Sequence, residues 1–265
     1  MIATVRNRFP RAQFVFWNPA ESRAAIDGSA LAFGSPQHVS YDFDGAQCVV
    51  SVGSDFMAGG AGSLKNARTF ASTRKVIDGG DDMSRLYAVE AKPTSVGSLA
   101  DHRFRVAPSQ MHNFTMALAY AVAGLTGTSA AGLVNATVDG ISQHDIDEIA
   151  KDLVAHRGHA VVVPGDQIGT EAWAMCMAIN NALGALGSMV KTTAMSESLA
   201  SNGAVELAAL AGAMNNGLVD TLVTINCNPV YDAPASVNFV DAFAKVPNTV
   251  TFDQNISETE HLSTW

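Results

Sequence analysis

The sequence contains few cysteines. Its 265 residues include three, Cys48, Cys176 and Cys227, which lie far apart and form no C-x-x-C pair. Such spacing offers no scaffold for a zinc site or for a cysteine-ligated iron–sulfur cluster. An odd and sparse set also argues against a disulfide framework. Chemistry at clustered cysteines is therefore excluded for this stretch of sequence.

Positive charge and long apolar runs are also scarce. Lys and Arg total 16 against 25 Asp and Glu, which gives a net charge of −9. This balance disfavours nucleic acid and anionic membrane surfaces, both of which need a basic face. The longest apolar run, Met116–Leu125, is about half of the ~20 residues that a membrane helix requires. We therefore expect no nucleic-acid partner and no direct membrane insertion.

The first residues contain no apolar segment of the kind found in signal peptides. This leaves two interpretations. The protein stays in the compartment where it is made, or an export signal lies outside this chain.

Apolar residues make up 48% of the chain, and short β-branched runs alternate with amphipathic stretches. The alternation predicts an α/β fold of two doubly wound, Rossmann-like lobes with parallel sheets. The Gly-, Thr- and Ala-rich stretch 124–140 is interpreted as a linker. We therefore predict one lobe over 1–130 and a second over 131–265. The predicted strands are Gln13–Trp17, His38–Phe43, Cys48–Val52, Arg85–Glu90, His102–Val106, Ala160–Val163, Met189–Thr193, Thr221–Ile225 and Thr249–Phe252.

The loop after Cys48–Val52 is the first candidate binding site, because ligands of open α/β sheets bind beyond the carboxyl ends of strands. It reads Gly-Ser-Asp-Phe and leads into Gly59–Ser63, where glycines and a helix N-terminus could approach a phosphate. Lys65 stands where a strict G-x-G-x-x-G needs glycine. Glu90 ends the next strand and could accept hydrogen bonds from ribose hydroxyls. The alternative is a glycine-rich surface loop with a solvated glutamate.

Two further loops follow strands in the same way. Gly165-Asp166-Gln167 follows Ala160–Val163, and Asn226–Tyr231 follows Thr221–Ile225. Asparagine-rich loops are also ordinary turns, so this second interpretation stays open. The sequence has no GKS or GKT phosphate loop, no G-x-S-x-G elbow and no H-E-x-x-H helix.

Read together, these loops resemble the molybdopterin oxidoreductase (dimethyl sulfoxide reductase) family in order and spacing. Within it, the sequence is similar to the iron–sulfur B subunit of alternative complex III, a bacterial quinol:acceptor oxidoreductase. The first half resembles the family's third domain and the second half part of its second. The segments that carry the resemblance are VVSVGSDF, RLYAVEAKPTSVGSLADHRFRVAPSQ, VVVPGDQ, AINNALGALG and VDTLVTINCNPVYDAP.

The resemblance implies cofactor-binding roles for six positions, namely Gly53, Ser54, Asp55, Glu90, Asp101 and Asn228. The first three match a loop that approaches the pyrophosphate of a pterin guanine dinucleotide. Glu90 matches the acid that recognises guanosine, and Asp101 matches a loop aspartate. Asn228 matches a Gly-x-Asn-Pro loop in which Asn226 here replaces the glycine. A family Pro-Gly-Thr is Pro-Ser-Gln here, which disfavours a close backbone approach to a ligand.

The resemblance also implies a function. The family's cysteine cluster, its molybdenum ligand and its C-terminal domain are absent from the sequence, so we expect the central portion of a longer subunit. We expect it to be a scaffold without cofactor, metal or catalytic residues of its own, in a respiratory complex on the outer side of the cytoplasmic membrane. Its partners would be other subunits or domains. The alternatives are the guanine-dinucleotide-binding part of a molybdenum oxidoreductase, with the pterin in the intact protein, and a stand-alone nucleotide-binding domain.

Overall fold

A computed structural model describes residues 2–76 and 83–265. Helices and strands alternate along the chain. In order they are α1 (Ile2–Arg8), α2 (Ala24–Phe33), β1 (Gln37–Tyr41), β2 (Cys48–Val52), α3 (Ser63–Ser72), β3 (Arg85–Glu90), α4 (Ser95–Leu99), β4 (His102–Arg105), α5 (Met111–Thr126), α6 (Gln143–Ala155), β5 (Ala160–Pro164), α7 (Thr170–Ala182), β6 (Val190–Ala194), α8 (Glu197–Ala200), α9 (Gly203–Asn215), β7 (Thr221–Ile225), α10 (Pro229–Asp232), α11 (Phe239–Phe243), β8 (Asn248–Phe252) and α12 (Glu258–Leu262).

The chain divides into two compact units. The central unit comprises residues 22–195, and the terminal unit comprises residues up to 21 together with 196–265. The predicted division near residue 130 does not coincide with either boundary. The reason is that β5 pairs with β2, so residues beyond 130 complete the sheet begun by the first half.

The central unit is built on a four-stranded parallel sheet with the order β4-β3-β2-β5. The chain steps outward from β2 to β4 and then returns to place β5 on the other side of β2. This reversal makes a topological switch point between β2 and β5, as in Rossmann-like folds. Both of these strands are buried along their whole length, because helices cover the two faces of the sheet. The predicted α/β class with a parallel sheet is thus confirmed.

Local sequence explains the helices that cover this sheet. Apolar side chains at Met111, Phe114, Leu118 and Val122 line one face of α5, and all four are buried. Ser142 begins α6 by accepting a hydrogen bond from the Asp145 N–H at 3.1 Å, which caps the helix.

At the outer edge of β5, a side chain satisfies the backbone hydrogen-bonding groups of one residue. Asn180 of α7 is fully buried, and its amide accepts from the Val162 N–H and donates to the Val162 carbonyl, both at 2.8 Å. These two bonds imitate a neighbouring strand, so the sheet ends here without unpaired buried backbone at Val162.

Two smaller sheets complete the described part of the chain. In the central unit β1 pairs antiparallel with β6, whereas β6 was expected in a parallel second-lobe sheet. In the terminal unit β7 and β8 form a parallel pair. Leu222 of β7 packs on the terminal core formed by Leu207, Phe239 and Phe243 of α9 and α11, whereas β8 contacts α12. The predicted strand Gln13–Trp17 is extended chain without a strand partner. Apolar alternation there reflects packing of Trp17 against the terminal core rather than sheet pairing.

Candidate functional site

The carboxyl edge of the four-stranded sheet collects most of the predicted site. Gly53, Ser54 and Asp55 follow β2, Glu90 ends β3, and Gly165 follows β5. Since the strands are parallel and neighbouring, their carboxyl ends meet at the same edge. Four of the six predicted cofactor-binding positions therefore come together, beside the switch point.

The loops after β2 and β5 close against each other. The Gly165 N–H donates to the Val52 carbonyl at 2.8 Å, and a Cβ placed on Gly165 would overlap the Gly53 carbonyl. Gly53 has a φ of +62°, and a Cβ there would lie 3.0 Å from the Ile168 side chain. The Cβ side of the glycine expected to approach a pyrophosphate is thus occupied by Ile168, and the residue as a whole is half-buried.

Ser54 and Asp55 are likewise engaged within the chain. The Ser54 carbonyl accepts from the Ser51 hydroxyl at 2.7 Å. The Asp55 carboxylate accepts from the Val96 N–H at 3.3 Å, in the first turn of α4. An anion is favoured at a helix N-terminus, and here the protein's own carboxylate takes that place.

Glu90 is 4% exposed and makes a buried ion pair. Its Oε1 accepts from the Arg103 Nε at 2.6 Å, and its Oε2 accepts from the Thr94 hydroxyl at 2.6 Å. Gly97 permits this arrangement, because any Cβ at that position would overlap the carboxylate. Both carboxylate oxygens are therefore satisfied inside the protein, which leaves neither for a ribose.

The glycine loop before α3 is the open part of this edge. Gly60 and Gly62 have φ values of +79° and +87°, and nothing lies within 4 Å of a Cβ placed on either. The N-terminus of α3 has no side-chain cap. Of the first-turn N–H groups, that of Ser63 donates to the Gly60 carbonyl at 3.4 Å, whereas Leu64 and Lys65 receive no side-chain cap.

Asp101 lies at the opposite end of the sheet. Its carboxylate accepts from the Leu86 N–H at 2.8 Å and from both terminal nitrogens of Arg74 at 2.7 and 2.9 Å. The bidentate Arg74 pair lowers the pKa of Asp101. Leu86 begins β3 whereas Glu90 ends it, so about 13 Å of strand separates the two predicted acids. The structure does not bring Asp101 to the carboxyl edge.

Asn228 belongs to the terminal unit, at the start of α10. Its amide oxygen accepts from the backbone N–H and hydroxyl of Thr259 at 3.1 and 2.8 Å, and its amide nitrogen donates to Glu258 at 2.6 Å. The bond from Asn228 lowers the pKa of Glu258. Asn228 therefore ties the loop after β7 to α12.

A polar cluster at the amino edge of the central sheet could not be predicted from the sequence, because its members are distant in the chain. Asp152 of α6 accepts from Arg85 at 2.7 Å, from the Tyr87 hydroxyl at 2.8 Å and from the Cys48 thiol at 3.5 Å. Burial raises the pKa of Tyr87 and of Cys48, and Asp152 adds to both shifts. A protonated thiol is a poor nucleophile, so Cys48 is not set up for reaction. The hydrogen bonds of Asp152 to Arg85 and Tyr87 attach α6 to the sheet.

Most of the residues that were expected to hold a pterin guanine dinucleotide are engaged within the chain or lie apart. Gly53 is half-buried, Glu90 is ion-paired, Asp101 lies at the other edge of the sheet, and Asn228 is bonded to its own chain. Within 2–76 and 83–265, no three His, Cys, Asp or Glu side chains are grouped for metal binding. No helix in the same ranges is long and apolar enough to cross a membrane.

Comparisons with known proteins bear on the fold. The chain is similar to acetylene hydratase from Pelobacter acetylenicus, with a TM-score of 0.60 and 11% sequence identity. The match covers 90% of this chain and 42% of that one. Acetylene hydratase is an enzyme of the molybdopterin oxidoreductase family that the sequence motifs resemble. At this identity the likeness concerns the fold alone. No protein-family model and no curated protein matches the sequence.

Proposed function

We propose that this chain is the scaffold portion of a molybdopterin-oxidoreductase-like subunit and binds no pterin dinucleotide itself. The observation that carries the proposal is the Glu90 carboxylate, which is buried and bonded to Arg103 and Thr94. Releasing it for a ribose would give up two hydrogen bonds to a buried carboxylate, which are worth about 1 kcal/mol or more each. The same acid therefore serves the fold rather than a ligand.

We further propose, from the sequence resemblance, that this scaffold belongs to a respiratory quinol:acceptor oxidoreductase on the outer side of the cytoplasmic membrane. Other subunits or domains of that complex would be its partners and would carry the redox centres. The similarity in fold to acetylene hydratase supports the broader class, a molybdopterin-oxidoreductase-like architecture. The specific respiratory role is part of the proposal.

The test measures cofactor content. The protein is purified from a host that makes pterin guanine dinucleotide, and molybdenum, tungsten and oxidised pterin fluorescence are quantified per chain. We expect values far below one equivalent. A pterin enzyme of the same family, produced in parallel, shows that the host supplies cofactor. One or two equivalents of pterin per chain would contradict the scaffold role.

A second candidate function, nucleotide binding, is favoured by the open glycine loop before α3. Calorimetric titration with GDP, NAD and FAD at millimolar ligand tests it, and the scaffold role predicts no heat of binding. Glu90→Gln separates the two functions. Under the scaffold role it lowers the free energy of unfolding by about 2 kcal/mol, whereas under ribose recognition it weakens ligand binding.

A further inference from the structure

The β7–β8 pair of the terminal unit exposes an apolar face. In its parallel register Val223 lies beside Val250, and Ile225 lies beside Phe252. Register partners of a sheet project from the same side, so these four side chains form one surface, called here the outer face. Val223, Ile225 and Phe252 are 48%, 59% and 61% exposed.

The opposite face of the same two strands is rich in hydroxyl groups and is covered. Thr224 and Thr249 are 6% and 4% exposed, and the Thr224 and Thr251 hydroxyls are 2.6 Å apart. A sheet with one solvated face normally places its apolar residues inward and its threonines outward. Here apolar residues lie on both faces, because Leu222 packs inward on the terminal core while the outer face carries two valines, an isoleucine and a phenylalanine. This is the pattern of a parallel sheet covered on both faces, so the outer face is suited to a covering partner.

The outer face has the dimensions of one helix. Two strands span about 10 Å across, including their side chains, and five residues extend about 17 Å along the strand. An α-helix is about 10 Å wide, and about 11 of its residues cover 17 Å. A single helix of three turns therefore matches the exposed surface.

The charge around the outer face is one-sided. Between residues 216 and 260 the sequence contains six acidic residues and one basic residue, Lys245. Asp220 immediately precedes β7 and Asp253 immediately follows β8, and both are exposed. No ion pair of either aspartate occurs within the described ranges. Both ends of the surface therefore favour a basic partner, since unpaired charges act over about 8 Å at physiological salt.

We propose that the outer face docks an amphipathic α-helix of another polypeptide, with an apolar stripe flanked by Lys or Arg. Val223, Ile225, Val250 and Phe252 would bury the stripe, and Asp220 and Asp253 would face the basic flanks. This inference rests on the scaffold role proposed above and specifies one partner surface for it.

The experiment uses the whole 265-residue chain and three labelled synthetic 16-residue peptides. The first has leucines at helical spacing and lysines elsewhere, the second replaces the lysines by glutamates, and the third scrambles the first. Fluorescence anisotropy measures binding, and hydrogen exchange locates it. We expect the lysine peptide to bind and to slow exchange in β7 and β8. Its binding should weaken at least several-fold at high salt.

Variants assign the binding to the outer face. Ile225→Thr combined with Phe252→Thr should weaken the lysine peptide by about tenfold or more, because two apolar contacts are lost. The matched control, Leu64→Thr combined with Val205→Thr, removes two exposed aliphatic side chains outside this face and should leave binding unchanged. Circular dichroism confirms that both double variants fold.

Several outcomes would overturn the inference. These are no binding of the lysine peptide, equal binding of the scrambled or glutamate peptide, and binding that the β7–β8 variants leave intact. Self-association of the chain that protects the same strands would identify a second copy as the occupant instead. Pterin content is measured separately, so a pterin-loaded protein that still binds the peptide would contradict the scaffold role alone.

Discussion

The two parallel sheets of this protein differ in how completely they are covered. In the central unit, β2 and β5 are buried at every residue, and Asn180 closes the outer edge of β5. In the terminal unit, β7 alternates exposed and covered residues, and no described group pairs with its outer edge. The comparison teaches that β–α alternation in the sequence does not by itself produce a sheet with two buried faces. The number of helices that cover the sheet decides whether both faces are buried.

The same comparison applies to the loops at the carboxyl ends of the strands. Glu90 of the central sheet is buried and ion-paired, whereas Asn228 of the terminal pair is half-buried and is held by the buried Thr259 and the exposed Glu258. Polar interactions are worth more where water is excluded. Removing a polar side chain should therefore cost more stability in the central unit.

The largest expected effect is at the contact between the two central loops. Gly165→Ala would drive a methyl group into the Gly53 backbone, which cannot move without disturbing β2. We expect a loss of about 3 kcal/mol in the free energy of unfolding, measured by urea denaturation. Gly124→Ala in α5 is the matched control, since open space surrounds that position, and it should be neutral or stabilising. Equal effects of the two substitutions would show that the loops are not in contact.

A somewhat smaller effect is expected at the closed edge of β5. Asn180→Ala leaves the buried N–H and carbonyl of Val162 without partners, which should cost about 2 to 3 kcal/mol. Asn228→Ala in the terminal unit removes comparable bonds from a half-buried site and should cost about 1 kcal/mol. Both losses are measured by urea denaturation. A larger loss for Asn228→Ala than for Asn180→Ala would contradict the difference drawn between the two sheets.

The third prediction concerns how the stability of the protein falls at acidic pH. The pKa of Asp101 is lower in the folded chain than its ordinary value, because Arg74 and the Leu86 N–H stabilise the carboxylate. Its contribution to stability is therefore present above the ordinary pKa of about 4 and is lost as the pH falls through the lowered value.

We accordingly expect Asp101→Asn to reduce stability by about 1 kcal/mol at pH 7 and by less at pH 3. Denaturation at both pH values measures the difference. Glu258→Gln serves as the comparison in the terminal unit, where the carboxylate is exposed and the pH-dependent loss should be smaller. If the difference in free energy of unfolding between the wild type and Asp101→Asn did not change with pH, this assignment would be wrong.

The smallest expected effect is a difference in labelling rate between the thiols of the two units. Cys48 and Cys176 are buried in the central unit, whereas Cys227 is half-buried in the terminal unit. Burial raises the pKa of all three thiols, so labelling should be slow everywhere. Reaction with an aromatic disulfide at pH 8 should nevertheless modify Cys227 first and the other two only on unfolding. Prior labelling of Cys176 would indicate that the central unit opens more readily.

Most secondary structure follows from local patterns. The apolar runs at β2, β3 and β7 predict those strands with the bounds that the structure has. Helical spacing also predicts helices over 108–125 and 142–156; α6 agrees within one residue at each end, and α5 begins three residues later than predicted, after a 3₁₀ turn. These segments succeed because burial of one face selects one conformation. The short helices α4, α10 and α12 have too few residues for a periodic pattern, and the sequence did not predict them.

The candidate site was predictable only in part. Proximity of Gly53, Asp55 and Glu90 follows from their places after neighbouring strands. Their partners do not, because Arg103 and Ile168 reach them from other elements. Asp101 illustrates the limit, since a residue just before a strand lies at the amino edge, whatever family motif it matches.

By itself, the sequence determined the α/β class, the order of the strands along the chain and the loops that would follow them. Those features depend on periodicity and on short-range turn chemistry, which are local. The tertiary structure alone decided that β5 joins the sheet of the first half, that Glu90 is consumed by an ion pair, and that the β7–β8 pair exposes its aliphatic face. Strand pairing, burial and charge compensation join residues that are distant in the chain. Local patterns in a single sequence do not indicate which distant segments come into contact.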